Sequence, residues 1–429
     1  MCLFFYDGGV QNGMPQFKIV GGKTLSGEIM VDTSKNAVLP IIAACILTEE
    51  DVVLNNVPSI SDVFKMFDIL KSMGAKVNLE DGTAIINCST INKFEIPSNI
   101  AKEIRSSIFM LGPLIAKYKR ARVAYPGGCD IGSRPIDLHL FGLRELGVII
   151  SEEYGYLDCY AEKITPGVVH LDYPSVGATE NIMMASVLAP GKTTIINAAK
   201  EPEIVDLAAF INSMGGCVFG AGTSTIEIVG AISLNGTTYS PISDRIIAGT
   251  YLLAAAITGS KLAISNAKIE DNNILINKLR NSGCYFRQES DTIHIEANSR
   301  LASIQNIATG PYPGFPTDLQ AQVMALETIS DGVSVITENM FETRFKHVPE
   351  LIKLGANITL KDRMAIVRGV KNLYGAEVSA TDLRGGASLV LAGLIAHGTT
   401  TINNIEYIDR GYPGLENKLS NVGAEMIRI

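Results

Sequence analysis

A chain of 429 residues with a formal net charge of −8 lacks the basic surface that phosphate neutralisation demands, which argues against a nucleic-acid binder. Seven cysteines without a Cys-x-x-Cys pair make neither a disulfide framework nor a zinc site, and five histidines lack metal-ligand spacing. No metal or cofactor is expected, a reducing cytoplasm is the implied compartment, and the length suggests two or three domains with cores of their own.

Residues 1–13 read as an extension with no assigned role. The apolar run Cys2 to Tyr6 is short, lacks a basic leader and precedes Asp7-Gly8-Gly9, unlike a signal peptide. Later apolar runs such as Ala387 to Ala396 fall short of the ~18 residues of a membrane span.

From there one pattern recurs roughly every 70 residues: a β-rich run ending near Asn, a helical stretch closing at glycine, then another strand. The copies close at Gly74, Gly147, Gly215, Gly283, Gly355 and Gly423. Glycine is expected there because a left-handed helix C-cap is least strained without a Cβ. The copy ending at Gly147 diverges, its strand Arg122 to Tyr125 running into a loop instead of an Asn turn. A period this long marks a small βα subdomain, and six copies group as three and three.

Upstream of each β-rich run lies a stretch apolar on every side: Ala37 to Leu47, Ser107 to Ala116, Ile182 to Ala189, Ile246 to Ile257, Leu319 to Ile329 and Ala387 to Ala396. Such helices belong inside a core, and recurrent Ala and Gly let neighbours approach closely. Ser, Thr, Asp and Asn at their entrances serve as N-caps. Lys35, Arg105, Arg245 and Arg384 do not fit that role, because a cation at a helix N-terminus opposes the macrodipole unless an anion lies between. These positions predict a cleft for a multiply anionic ligand.

Tyr125 to His139 reads Tyr-Pro-Gly-Gly-Cys-Asp-Ile-Gly-Ser-Arg-Pro-Ile-Asp-Leu-His. Its proline and glycines predict a mobile loop, on which Cys129 beside Arg134 favours the reactive thiolate. Gly22-Lys23-Thr24 and Gly191-Lys192-Thr193 lack the earlier glycine of a phosphate-binding Walker loop.

Ser34-Lys35-Asn36-Ala37, Pro126-Gly127-Gly128-Cys129, Arg134-Pro135-Ile136-Asp137-Leu138-His139, Ser175-Val176-Gly177-Ala178-Thr179, Glu201-Pro202-Glu203, Phe315-Pro316-Thr317-Asp318-Leu319-Gln320 and Ile408-Asp409-Arg410-Gly411 occur in that order. Together they resemble the UDP-N-acetylglucosamine 1-carboxyvinyltransferase family of enolpyruvyl transferases, from about Phe17 to the C-terminus. The resemblance implies an α/β fold of two inside-out α/β barrel domains, each of three βα subdomains: residues 35–241, and residues 14–34 with 242–429. It implies transfer of the enolpyruvyl group of phosphoenolpyruvate to the sugar 3'-hydroxyl of UDP-N-acetylglucosamine, with phosphate release, at the first committed step of peptidoglycan synthesis.

By the same resemblance Cys129 is the general acid, and Asp318 takes or orients the hydroxyl proton. Lys35, Arg134 and Arg410 surround the phosphate of phosphoenolpyruvate, with Asn36 beside Lys35 and with Arg344 and Arg384 near the carboxylate. Arg105, Arg134, Pro135, Ile136, Asp137, Leu138, Tyr173, Pro174, Ser175, Val176, Asp318 and Met340 contact the UDP-sugar. Domain closure joins Lys35 to Arg410, and fosfomycin, an epoxide, alkylates Cys129. Tyr173-Pro174 departs from a position that varies in the family, so backbone contacts are expected there, and Gly385-Gly386 is expected to loosen the helix start after Arg384. Two rivals remain: a 3-phosphoshikimate 1-carboxyvinyltransferase, disfavoured by the Cys129 loop, and a silent UDP-sugar-binding paralogue, disfavoured by the full set of reactive residues.

Overall fold

The computed structural model describes residues 15–125, 127 and 136–429. Cys129, Arg134, Pro135 and the extension 1–13 lie outside them.

Six four-stranded sheets with one topology account for the repeat. In the first, Thr237–Tyr239 runs parallel to Val52–Leu54, and the hairpin strands Thr83–Asn87 and Lys76–Glu80 follow in antiparallel register. The same order of one parallel and two antiparallel pairings holds in the other five. An outer helix, such as Ser61–Met73 or Asn273–Ser282, links the second strand to the hairpin. All six closing glycines have left-handed φ, between 84° at Gly147 and 112° at Gly283. Asn56, Asn197, Asn266 and Asn404, which end four of the β-runs, take φ of 54° to 59°, a conformation that Asn tolerates better than most side chains.

The apolar stretches form six core helices: Lys35–Ala44, Leu111–Tyr118, Val176–Ser186, Arg245–Ile257, Gln320–Glu327 and Leu383–Ile395. The third starts six residues before its apolar stretch, because Ser175 caps it at Ala178 N and its polar first turns, including Thr179, Glu180 and Asn181, are buried. Thr179 therefore lies inside the helix instead of capping it. Arg105–Met110 and Thr317–Leu319 are 3₁₀ turns leading into the second and fifth. The fourth, fifth and sixth touch one another at the centre of their half, with the sheets outside. Close approach requires small residues: a Cβ on Gly249 would lie 2.6 Å from Leu319. At the sixth helix Asp382 accepts from Arg384 N and Gly385 N, and a Cβ on Gly386 would lie 2.5 Å from Ile408. Gly385-Gly386 thus answers tight packing and leaves the helix start firm, contrary to the expected loosening.

The buried hydrophobic side chains separate into two cores, one drawn from Val38 to Leu234 and the other from Phe17 to Val31 with Ile246 to Met426. The N-terminal segment completes the second: Ser26–Met30 edges the fourth sheet, and Phe17–Val20 inserts between Thr399–Asn403 and Glu425–Arg428 in the sixth. Gln16 and Ile429 exchange two backbone hydrogen bonds of 3.0 Å. The chain crosses between cores at two adjacent points, where Ser34 N donates to Ile242 O at 2.8 Å and Asp244 N to Asp32 O at 2.8 Å. Among the described residues no helix is long and apolar enough to cross a membrane.

Candidate active site

The N-terminal ends of the core helices carry charged residues, and Lys35 and Arg245 among these meet partners from the other half. Ser34 caps the first helix, placing Lys35 at its first position, where Lys35 N also donates to Asp244 Oδ2 at 3.2 Å. Lys35 Nζ lies 2.6 Å from Asp62 Oδ2. Arg410, from the other half, donates to the same carboxylate through Nε at 3.1 Å and Nη2 at 3.3 Å. Lys35 and Arg410 are therefore brought together across a shared anion. Burial tends to raise the Asp62 carboxyl, but Lys35 and Arg410 outweigh it and hold it below the usual carboxylate range. Burial and the charges of Arg410 and Arg384 lower Lys35 from the usual lysine value, against the opposing pull of Asp62.

A second clasp stands at Asp318 in the 3₁₀ turn before the fifth helix. Arg344 Nη2 donates to Asp318 Oδ1 at 2.6 Å, and Arg384 Nη2 to Oδ2 at 3.0 Å. Both arginine side chains are about 5 % exposed, 5 % and 4 % respectively, so their charges are deeply placed. Arg344 Nη1 donates to Thr317 Oγ1 at 2.9 Å, while its Nε is buried with no hydrogen-bond partner among the described residues. Burial acts to raise Asp318, but the two guanidinium groups overcome it and push the carboxyl far below its ordinary value. Beside them His347 is 1 % exposed, and burial brings its pKa down to about 4, so its imidazole is neutral at pH 7.

Of the remaining predicted residues, Tyr173 and Met340 meet between the halves. Tyr173 Oη donates to Met340 Sδ at 2.9 Å, joining the halves. Met340 is held by its own N–H on the buried Glu338 carboxylate at 2.8 Å. Pro174, Ser175 and Val176 are half-buried at the start of the third core helix, with Ser175 occupied as its cap. Arg105 opens its 3₁₀ turn half-buried, Asn36 follows Lys35, Ile136 is buried, Asp137 is exposed at the start of the helix Asp137–Glu145, and Leu138 is half-buried.

Arg245, too, meets a carboxylate. Its Nε lies 3.1 Å and 3.3 Å from the two carboxylate oxygens of Glu203, and its guanidinium faces the Tyr312 ring. Tyr312 N in turn donates to Glu201 Oε1 at 3.4 Å. This cation is paired with a carboxylate of the other half near the crossing strands, as Arg410 is with Asp62. Asp62 and His347 carry no sequence signal of their own, and Glu203, though inside the Glu201-Pro202-Glu203 motif, is given no partner by it; a buried cation implies a carboxylate but not which one.

A family model described as EPSP synthase (3-phosphoshikimate 1-carboxyvinyltransferase) matches residues 19–419. The chain is 50 % identical over 416 residues to UDP-N-acetylglucosamine 1-carboxyvinyltransferase 2 of Caldanaerobacter subterraneus, covering 97 % of this chain and 100 % of that protein. It is 46 % identical over 418 residues to UDP-N-acetylglucosamine 1-carboxyvinyltransferase 2 of Clostridium tetani, with coverage of 97 % and 100 %. Among solved structures, the enolpyruvyl transferase NikO of Streptomyces tendae superposes with a TM-score of 0.87 at 24 % identity, covering 97 % of this chain and 99 % of that one. An EPSP synthase of Acinetobacter baumannii superposes at 0.74 with 18 % identity, covering 97 % and 100 %. At such identities the superpositions speak to the fold.

Proposed function

The chain belongs to the EPSP synthase family of enolpyruvyl transferases, and on that premise we propose that it transfers the enolpyruvyl group of phosphoenolpyruvate to the 3'-hydroxyl of UDP-N-acetylglucosamine, releasing phosphate. This is a cytoplasmic reaction that commits the sugar nucleotide to peptidoglycan. The acceptor follows from relatives nearly half identical over their whole length, which bear the UDP-sugar name. The two halves act as two domains, 35–241 and 14–34 with 242–429, hinged at the paired crossing strands.

The observation that carries the reading is the pair of clasps, in which Lys35, Arg410, Arg344 and Arg384 converge at the mouths of core helices. Phosphoenolpyruvate brings a phosphate and a carboxylate, the anions such forks bind bidentately. Lys35 and Arg410, with Arg134, take the phosphate; Arg344 and Arg384 take the carboxylate, and the unused Arg344 Nε is a donor of the required kind.

In the addition, Cys129 gives a proton to the vinyl methylene, the sugar oxygen bonds to the neighbouring carbon, and Asp318 takes the proton that the hydroxyl loses. The surrounding cations stabilise the charge that develops. In the elimination, the new methyl returns a proton, the carbon–oxygen bond to phosphate breaks, and phosphate leaves. While both arginines hold it, Asp318 is a weak base; a substrate carboxylate drawing on them raises its basicity as the reactants assemble. Fosfomycin opens its epoxide on the Cys129 thiolate in competition with phosphoenolpyruvate.

Mixing the protein with both substrates and measuring phosphate release and product mass tests the reading. Phosphate release with shikimate 3-phosphate and not with the UDP-sugar would overturn the acceptor, and release with neither would leave a silent paralogue. Intact mass after exposure to the epoxide should rise by one adduct, and not on Cys129→Ala.

A further inference from the structure

Below the two clasps one phenol oxygen ties together the three core helices of the second half. Tyr412 is 1 % exposed. Its Oη lies 2.9 Å from Thr250 Oγ1 on the fourth core helix, 3.1 Å from Gln322 Nε2 on the fifth and 3.0 Å from Arg384 Nη1 on the sixth. The Gln322 amide nitrogen and the guanidinium can only donate, so they occupy the acceptor side of the phenol. Its own proton is then directed to Thr250 Oγ1, which donates onward to Ile246 O at 2.8 Å. All of the oxygen's hydrogen-bonding capacity is used.

That arrangement fixes the plane of the Arg384 guanidinium. With Nη1 held on the phenol, Nη2 is left facing Asp318 Oδ2 at 3.0 Å. Gln322 Nε2 adds a second tie to the same turn, donating to Asp318 O at 2.9 Å. Tyr412 also stands two residues beyond Arg410 on a short segment pinned by Tyr412 N donating to Ile408 O at 3.0 Å. The segment that offers Arg410 to Asp62 in the cleft thus carries, on its buried side, the group that sets Arg384.

We propose that Tyr412 is a positioning residue for the transfer reaction, holding Arg384 so that its second arm aligns the Asp318 carboxylate and coupling that alignment to the segment bearing Arg410. The proposal rests on the enolpyruvyl-transfer reading for its kinetic test. The groups facing Asp318 that bear on its titration are Arg344 and Arg384, with Tyr412 behind the latter and Asp244 and Lys35 acting on Arg384 and its surroundings.

The decisive variant is Tyr412→Phe, which keeps the ring and deletes the oxygen. Expected are a fall in kcat of roughly tenfold or more, the size of one charge-assisted hydrogen bond, KM for the UDP-sugar within about threefold, and an acid limb of the kcat–pH profile displaced upward by ~0.5 pH unit or more. Thr250→Val removes the phenol's own acceptor without touching Arg384, and should leave kcat and the pH profile near wild type. Should Tyr412→Phe fold poorly, Tyr412→Phe with Thr250→Val sets two apolar groups against each other, leaves the Gln322 tie to Asp318 O in place, and carries the same expectation, since Arg384 Nη1 remains without its acceptor. A crystal structure of either phenylalanine variant gives a readout independent of turnover: Arg384 Nη2 should leave hydrogen-bond range of Asp318 Oδ2. An unmoved Arg384, an unshifted pH profile, or the same shift in Thr250→Val overturns the proposal. A wild-type enzyme without turnover would instead overturn the functional reading, and the crystal structure would still decide this one.

Discussion

Asp62 and Asp318 are the same chemistry placed in two kinds of surroundings. Each is a carboxylate gripped by two cations and held ionised against its burial. Asp62 takes one cation from each half of the molecule, so its clasp exists only while the halves face each other. Asp318 takes both from its own half, where Thr317, Tyr412 and Gln322 brace the arrangement from behind. The contrast separates a contact made between the halves from one made within a single half. In the mechanism we propose, a ligand phosphate meets the first kind, and Asp318, the group set toward the attacking hydroxyl, belongs to the second.

The largest effect should come from breaking the braced clasp. Asp318→Ala should cost about 10² to 10⁴ in phosphate-release rate, the usual size of one lost acid–base role, with calorimetric UDP-sugar affinity within about tenfold. Undiminished turnover would remove Asp318 from the chemistry.

Asp62→Asn breaks the other clasp and leaves Lys35 and Arg410 buried without their carboxylate, a change of about 3–5 kcal/mol in unfolding free energy by denaturant titration. Two pH effects follow. The wild-type carboxyl, held below its unfolded value of about 4, contributes stability above that pH that is lost on acidification through the folded pKa, and the variant should lack this loss. Lys35, no longer offset by Asp62, should shed its proton at lower pH, moving the alkaline limb of kcat/KM for phosphoenolpyruvate downward. An alkaline limb that stays in place would mean that Asp62 is structural only.

Arg410→Lys keeps the charge and loses the fork. Phosphoenolpyruvate use should weaken roughly ten- to a hundredfold, as for one or two charged hydrogen bonds, while UDP-sugar affinity stays near wild type. Equal losses for both substrates would argue that the clasp between the halves serves packing.

The smallest expected effect compares the caps under the two clasps. Asp382 accepts from two backbone N–H groups, at 2.9 and 3.0 Å, beneath Arg384, whereas Ser34 accepts from one at 3.3 Å beneath Lys35. Replacement by Ala should cost about 0.5–2 kcal/mol, with Asp382→Ala toward the upper end and Ser34→Ala toward the lower, as read by thermal unfolding.

Much of this frame was legible because backbone geometry restricts which residues serve. A left-handed turn at the end of a helix selects glycine, so Gly74 to Gly423 exposed the six repeats; continuous apolar stretches exposed the core helices. Charges at their entrances marked Lys35 and Arg384 as unusual. Partner choice was not legible. Asp62 sits in the first turn of an outer helix, where an acidic residue is an ordinary complement to the macrodipole, and nothing in its neighbours announces a lysine 27 residues earlier. Arg245 looked like Lys35 in sequence and found Glu203 instead, because pairing is decided by tertiary approach. Tyr412 was hidden for the same reason: a buried aromatic reads as core until its hydroxyl is seen among three helices.

The strand Phe17–Val20 has a consequence for how the polypeptide is made. It pairs on one side with Thr399–Asn403 and on the other with Glu425–Arg428, so an early piece is completed only by pieces synthesised long after it. At ribosomal speeds of about 5–20 residues per second, that strand waits roughly 20 to 80 seconds with both edges unpaired while the intervening half folds behind it. Its four residues, alternating Phe17 and Ile19 inward with Lys18 outward, are a short edge bearing a charge, a combination that resists mispairing with other chains during the delay.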